Sequence, residues 1–223
     1  MSKRLPTLSL LETRALGTLI EKERTVPDSY PLSLNALVSG CSQKTSRHPV
    51  IDTTDAEVQA AIDNLKRYNL VLETSGGRVA RYAHNFERVM QVPSQSQALL
   101  AVLMLRGPQT PGELRINCER LHRFSDLSAV EGFLHELAAR PGDPLVVELP
   151  RLAGARENRW THLLSGAPGA AAEVAQSAPE AEPSLGELAA LKANVARLET
   201  ELRTLKALVS KLYAEMGIPT QSE

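Results

Sequence analysis

Aromatic side chains make up only 4% of this 223-residue chain. So few rings leave little for base stacking, which argues against single-stranded RNA as a ligand. Cysteine is almost absent: Cys41 and Cys118 stand alone, with no CxxC spacing. A disulfide framework is thereby excluded, and the pattern fits a reducing cytoplasm. No apolar run approaches the roughly 18 residues of a membrane span. Met1 to Pro6 is followed by no apolar h-region, so no secretory signal is expected. Phosphate-cradling glycine loops, HExxH and GxSxG are all missing. The five histidines show no ligand spacing with one another, so no metal site is expected. Cys118 and His122 are four apart and would share a helix face as a thiolate–imidazole pair. Against that, Cys118 is the repeat equivalent of Cys41, inside a small helix that packs on the core. The expectation is a non-enzymatic protein with no cofactor, no metal and no evident small-molecule substrate.

A basic excess is lacking too. Lys plus Arg is 25 and Asp plus Glu is 26, for a net charge of −1. A dedicated nucleic-acid binder usually carries a clear basic surplus. The charge is uneven, however: residues 1–90 hold 12 basic and 10 acidic side chains, 91–165 hold 8 and 8, and 166–223 hold 5 and 8. Any contact with phosphate is expected in the first third.

What is present is periodicity. From Leu8 to Glu23, apolar residues at Leu8, Leu11, Ala15, Leu16, Leu19 and Ile20 predict a helix with one buried stripe. Leu34 to Ser39 is a second short helix ending near Gly40. A polar loop, SQKTSRHPVID, occupies 42–52. Thr54-x-x-Glu57 is a capping box, and Val58, Ala61, Ile62 and Leu65 follow at spacings of 0, 3, 4 and 7. This third helix is predicted to run to about Tyr68. Leu70 to Thr74 and Arg78 to Ala83 are β-prone, and Ser75-Gly76-Gly77 supplies the turn between them.

The order then repeats. Gln97 to Arg106 is apolar nearly throughout, and Gly107-Pro108 stops it. Thr110 with Pro111 opens a helix reaching about Leu121. Val130, Phe133, Leu134 and Leu137 repeat the spacing of 0, 3, 4 and 7. Leu145 to Leu149 and Arg159 to Leu164 read as strands, with Trp160 as apolar anchor. The fold class is therefore α+β, mainly helical, with two tandem winged-helix (winged helix-turn-helix) domains at 6–90 and 94–165.

Residues 166–183 contain seven alanines and three prolines. They read as a flexible linker with a mean reach on the order of 25 Å. Residues 184–217 keep a strict heptad: Leu188, Val195, Leu202, Val209 and Met216 at a, with Leu191, Leu198, Leu205 and Leu212 at d. Glu187–Lys192 and Glu201–Lys206 would pair attractively in a parallel dimer. A homodimer through this coiled-coil helix is expected.

The stretches YPLSLNAL at 30–37, CSQKTSRHPV at 41–50, LRGPQTPGELR at 105–115, ERLHRF at 119–124 and ARENRWTHLL at 155–164 resemble the YceH-like family of bacterial proteins of unknown function. The resemblance covers roughly residues 6 to 165 and leaves the linker outside. It implies two tandem winged helices and no activity.

In a winged helix the third helix enters the major groove and the wing touches the backbone. The exposed positions of that helix begin with Asp55 and Glu57, whose charge opposes phosphate. The matching helix of the second repeat carries Asp126, Glu131 and Glu136. A different surface is the candidate for duplex DNA: Lys44, Arg47 and His48 in the loop, Lys66 and Arg67 at the helix end, and Arg78 and Arg81 on the wing. A DNA-binding, transcription-regulator-like role is the first expectation, by the commoner use of the fold. Docking of another protein on the acidic faces is the alternative.

Overall fold

Ser9 starts the first helix. Its hydroxyl accepts the Glu12 N–H at 3.2 Å, and the Glu12 carboxylate accepts the Ser9 N–H at 2.6 Å. This capping box opens α1, Leu10–Thr25. The computed structural model describes residues 7–74, 79–151 and 154–167. A single 3-10 turn, Pro27–Ser29, leads from α1 to a two-residue strand β1, Leu32–Ser33. Ser33 then caps α2, Leu34–Cys41. Thr54 and Glu57 close a second capping box at the head of α3, Asp55–Arg67. The hairpin strands are β2, Val71–Thr74, and β3, Arg81–His84. They pair antiparallel, and β1 adds to the far side of β3, giving the order β1-β3-β2. Val71, Tyr82 and Leu32 are buried on the core face of this sheet.

A short helix α4, Phe86–Met90, leads into α5, Ser94–Arg106. The second set of elements follows: α6, Pro111–Asn117; α7, Leu127–Ala138; β4, Val146–Glu148; and β5, Trp160–His162. Thr110 with Glu113 caps α6, and Asp126 caps α7. β4 pairs antiparallel with β5. Gln109 forms an isolated bridge with Trp160, in the place where β1 pairs with β3 in the first set. The described residues are α+β, mostly helical, with two small sheets.

The second set runs in the same order with one bridge in place of β1, and the two sets share one apolar core. α5 is buried on every side because α1 covers one flank while α6, α7 and β5 cover the other. That is why its sequence is apolar all round instead of striped. Gly17 permits the close crossing of α1 over α5: a Cβ there would lie 3.0 Å from Leu105 Cγ. Leu8 donates its N–H to Leu164 O at 2.8 Å, tying the start of α1 to the chain beyond β5.

The polar loop between α2 and α3 is anchored from beneath. Arg14, fully buried on α1, donates to Cys41 O at 3.1 Å and Pro49 O at 2.6 Å. His48 N–H reaches Leu105 O at 2.8 Å, and Arg106 Nη2 donates to Ser46 Oγ at 2.7 Å. One loop is therefore held by α1 below and by the end of α5 beside it. The heptad positions Leu188 to Leu212 and the linker lie outside the described residues. No described helix is long and apolar enough to cross a membrane.

Candidate nucleic-acid interface

The seven basic candidates meet different fates. Lys44 and His48 stand exposed in the loop. Arg47, between them, does not. Its side chain is fully withdrawn from solvent and forms a bidentate pair with Glu21, at 2.6 Å and 3.1 Å. It also donates to Gly40 O, Ser46 O and the Gln43 side chain. Every donor direction of the guanidinium is used inside the fold, so Arg47 has nothing to offer a phosphate. The expectation of a DNA contact there is corrected. A lone charge so buried would be costly, and Glu21 on α1 compensates it. Burial alone would raise the Glu21 pKa, but the Arg47 hydrogen bonds and charge outweigh it and hold the carboxyl below its usual range.

Lys66 and Arg67 close α3 on favourable terms with the helix dipole. Lys66 is ion-paired to Glu73 on β2 and lies 3.9 Å from Asp63. Its charge is locally cancelled, and the Glu73 hydrogen bond raises its pKa. Arg67 is exposed and donates to Asn64 Oδ1 at 3.3 Å. Arg81 is exposed on β3 and donates to Pro31 O at 2.8 Å, which leaves its remaining donors outward. Arg78 lies outside the described residues. Among the described residues the loop cations share no hydrogen-bond or ion-pair partner with those of α3 and β3. The 13 residues of α3 hold the two ends of that helix roughly 18 Å apart.

The outer face of α3 is occupied by Asp55, Glu57, Gln59 and Asp63. Glu57 accepts from Thr54 N–H at 2.9 Å and from its hydroxyl at 2.8 Å, which lowers its pKa and keeps it charged. Gln59 is committed on both ends: its Oε1 accepts from Tyr82 OH at 3.0 Å and its Nε2 donates to Asp63 at 3.1 Å. An amide locked this way cannot read an adenine edge. On α7, Asp126 is the N-cap, Glu136 is exposed and Glu131 half-buried.

Cys118 and His122 do not form an activated pair. Burial pushes the Cys118 thiol up to about 12, and the His122 ring packs edge-on against Phe124 at 4.8 Å. Cys41 is likewise pushed up, to about 11, by burial first and despite its contact with Thr18. Among the described residues no three His, Cys, Asp or Glu side chains cluster as a metal site would require.

Two groups of residues were not singled out from sequence. Arg14 is the first, although its signal was present: it lies three residues after Leu11, on the buried stripe of α1. The second centres on His84 at the end of β3. Its Nε2 lies 3.0 Å from Glu23 Oε2 on α1 and 3.3 Å from Gln97 Nε2 on α5. Its Nδ1 accepts the Phe86 N–H at 3.3 Å, and its own N–H donates to Tyr30 OH at 2.7 Å. These residues come from four separate elements, so no local spacing could have announced them.

Residues 8–155 match the model of a family described as a protein of unknown function, DUF480. A UPF0502 protein of Dechloromonas aromatica is 59% identical over 209 residues, covering 94% of this chain and 97% of the other. A UPF0502 protein of Methylibium petroleiphilum is 57% identical, covering 96% and 92%. One from Burkholderia orbicola is 54% identical, covering 95% and 90%. An alignment of 209 residues necessarily runs past residue 166, so similarity to these relatives extends into the carboxy-terminal part that the sequence resemblance had left out. The chain belongs to the UPF0502 family, an uncharacterised bacterial family that carries the DUF480 region.

Proposed function

We propose that the chain is a non-enzymatic tandem winged-helix protein whose partner is another protein, docked on the acidic outer faces of α3 and α7. The winged-helix reading is supported by the order α1-β1-α2-α3-β2-β3 and its counterpart from α5 to β5, with the Gln109–Trp160 bridge standing for β1. The observation that carries the docking reading is the outer face of α3. Asp55, Glu57 and Asp63 are all exposed, Glu57 held by the Thr54 cap and Asp63 accepting from Gln59, while the Lys66 charge is taken up by Glu73. A helix that would lie in a groove lined by phosphates presents the wrong sign. The heptad of residues 184–217 would join two such chains and double weak contacts by avidity.

The test is capture of partners on the full chain after nuclease treatment. Partners retained by the wild type and lost when Asp55→Asn, Asp63→Asn, Glu131→Gln and Glu136→Gln are combined support the reading. Duplex DNA bound with a steep salt dependence, and bound differently by that variant, overturns it. A second reading keeps duplex DNA as partner, held by its backbone alone. It is favoured by one observation, the exposure of Lys44, Arg67 and Arg81. Lys44→Glu with Arg81→Glu then abolishes the DNA shift, and an unchanged shift removes this reading.

A further inference from the structure

Between the first sheet and α5 the chain runs through residues 85–92, which carry α4. This segment is pinned at both ends. At the near end Asn85 donates its N–H to Leu70 O at 2.8 Å, and Phe86 donates its own to His84 Nδ1 at 3.3 Å. At the far end Arg140, just after α7, donates to Met90 O at 3.0 Å. Gln91 there takes a left-handed backbone, with φ 51°, as the chain turns into α5. Between these pins an open cleft of about 730 Å³ runs along the segment, lined in part by Asn85, Glu87, Arg88 and Gln91. The segment therefore has space beside it to move into.

His84 is the pin that can titrate near neutral pH. Its side chain is only 6% exposed. Because Nδ1 accepts the Phe86 N–H, the neutral ring carries its proton on Nε2, aimed at Glu23 Oε2, 3.0 Å away. A second proton has only Nδ1 to go to. There it meets the Phe86 N–H, so two donors face each other and that hydrogen bond is lost. On the opposite side the cation gains, because its bond to the Glu23 carboxylate becomes charge-assisted. The buried Gln97 Oε1, which has no partner, can turn to the ring in place of the amide nitrogen that stands 3.3 Å from it. Protonation thus draws the ring toward α1 and α5 and away from α4. The charged groups facing it are Glu23 and Arg24 from α1 and Glu87 from α4. α5 presents the neutral Gln97, and the Tyr30 hydroxyl that accepts the His84 N–H is kept neutral by burial. Burial, with Arg24 on its side, outweighs the two carboxylates and holds the ring below its ordinary value. The pin is therefore in place at neutral pH and is lost on the acid side.

We propose that His84 is a proton-operated latch on α4. Uptake of a proton at Nδ1 releases Phe86, and residues 85–92 swing about Gln91 toward the cleft while the rest of the fold stays intact. The proton comes from solvent and returns to it when the pH rises, so the latch is reversible. What it loosens is the joint between the first sheet and α5, the helix against which both sets of elements pack. Neither the outer face of α3 nor that of α7 takes part, so failure of the latch leaves the docking reading of those faces standing.

The test is amide exchange resolved by residue on the full chain, from about pH 7.5 down to about pH 5, with the intrinsic rate at each pH divided out. The amides of Phe86, Val89 and Gln91 are expected to lose protection by about fivefold or more toward the acid end, while those of α1 and α3 keep theirs. The midpoint of that loss should coincide with the titration of the His84 ring followed by NMR. His84→Asn supplies an Oδ1 that accepts the Phe86 N–H at every pH, and should keep the segment protected throughout. Glu23→Gln withdraws the carboxylate that favours the cation, and should move the midpoint to lower pH. That shift decides the matter even where His84→Asn does not fold. Protection of the segment that is unchanged over the scan, or lost together with that of α1 and α3, would overturn the proposal. So would acid opening that persists in His84→Asn, or a midpoint that Glu23→Gln leaves in place.

Discussion

Arg14 and Arg47 are buried arginines of one network, with Glu21 as the carboxylate that pairs with Arg47. Arg14 donates to two backbone carbonyls, and its pKa is lowered by burial first and by the Arg47 charge second. Replacing it by methionine would leave Cys41 O and Pro49 O without their donor. We expect Arg14→Met to cost about 2–3 kcal/mol in chemical denaturation. Arg47→Glu places a second carboxylate against Glu21 and should cost about 3–5 kcal/mol. An Arg47→Glu protein of wild-type stability would show that the pair does not hold the loop. Two histidines set the acid limb. His162 is held down to about 4 by burial alone, with its Nδ1 shielded from solvent and unpartnered. His84 is lowered by burial against the pull of Glu23. Both bind a proton more readily unfolded, near pH 6.5, than folded. Stability is therefore fully present above pH 6.5 and is lost as pH falls from there toward about 4. His162→Gln should flatten that limb by about 2 kcal/mol, read from urea midpoints across this pH window. A limb unchanged in slope would remove His162 as its cause.

At the scale of elements, helices with a cap and a stripe were legible in the sequence. Thr54-x-x-Glu57 and Thr110 with Pro111 mark the heads of α3 and α6, and both caps form. Thr54→Ala should cost about 1 kcal/mol, measured by thermal unfolding. The hairpin strands were legible too, because β-prone runs flank a Gly-Gly turn. β1 and α4 were not, being too short for any periodicity to build up. The α1–α5 joint was hidden for a different reason. A uniformly apolar helix announces burial but not which neighbours provide it. Gly17 marks the crossing, and Gly17→Val would drive a branched side chain into Leu105 and Met104. A loss of about 1–3 kcal/mol is expected, and a neutral result would mean the two helices can move apart freely.

For the whole molecule, the candidate site was only half legible. The acidic character of the third helices could be read from Asp55, Glu57, Glu131 and Glu136 directly. The fate of the basic residues could not, because an arginine in a polar loop looks the same whether it faces solvent or a buried glutamate. The cluster around His84 brings together Glu23 and Gln97, which are distant in sequence. Dimerisation by residues 184–217 is argued from the heptad alone. Removing residues 184–223 should halve the sedimenting mass, and an unchanged mass would refute the coiled coil.

The central claim is that the outward faces of α3 and α7 meet protein and not DNA. The most direct measurement is titration of the full chain with labelled duplex DNA at low salt, beside nuclease-treated partner capture. The account predicts no DNA binding that depends on α3 or α7, and captured partners that are lost when Asp55, Asp63, Glu131 and Glu136 are neutralised together. Sequence-selective DNA binding that changes with those four substitutions would contradict it.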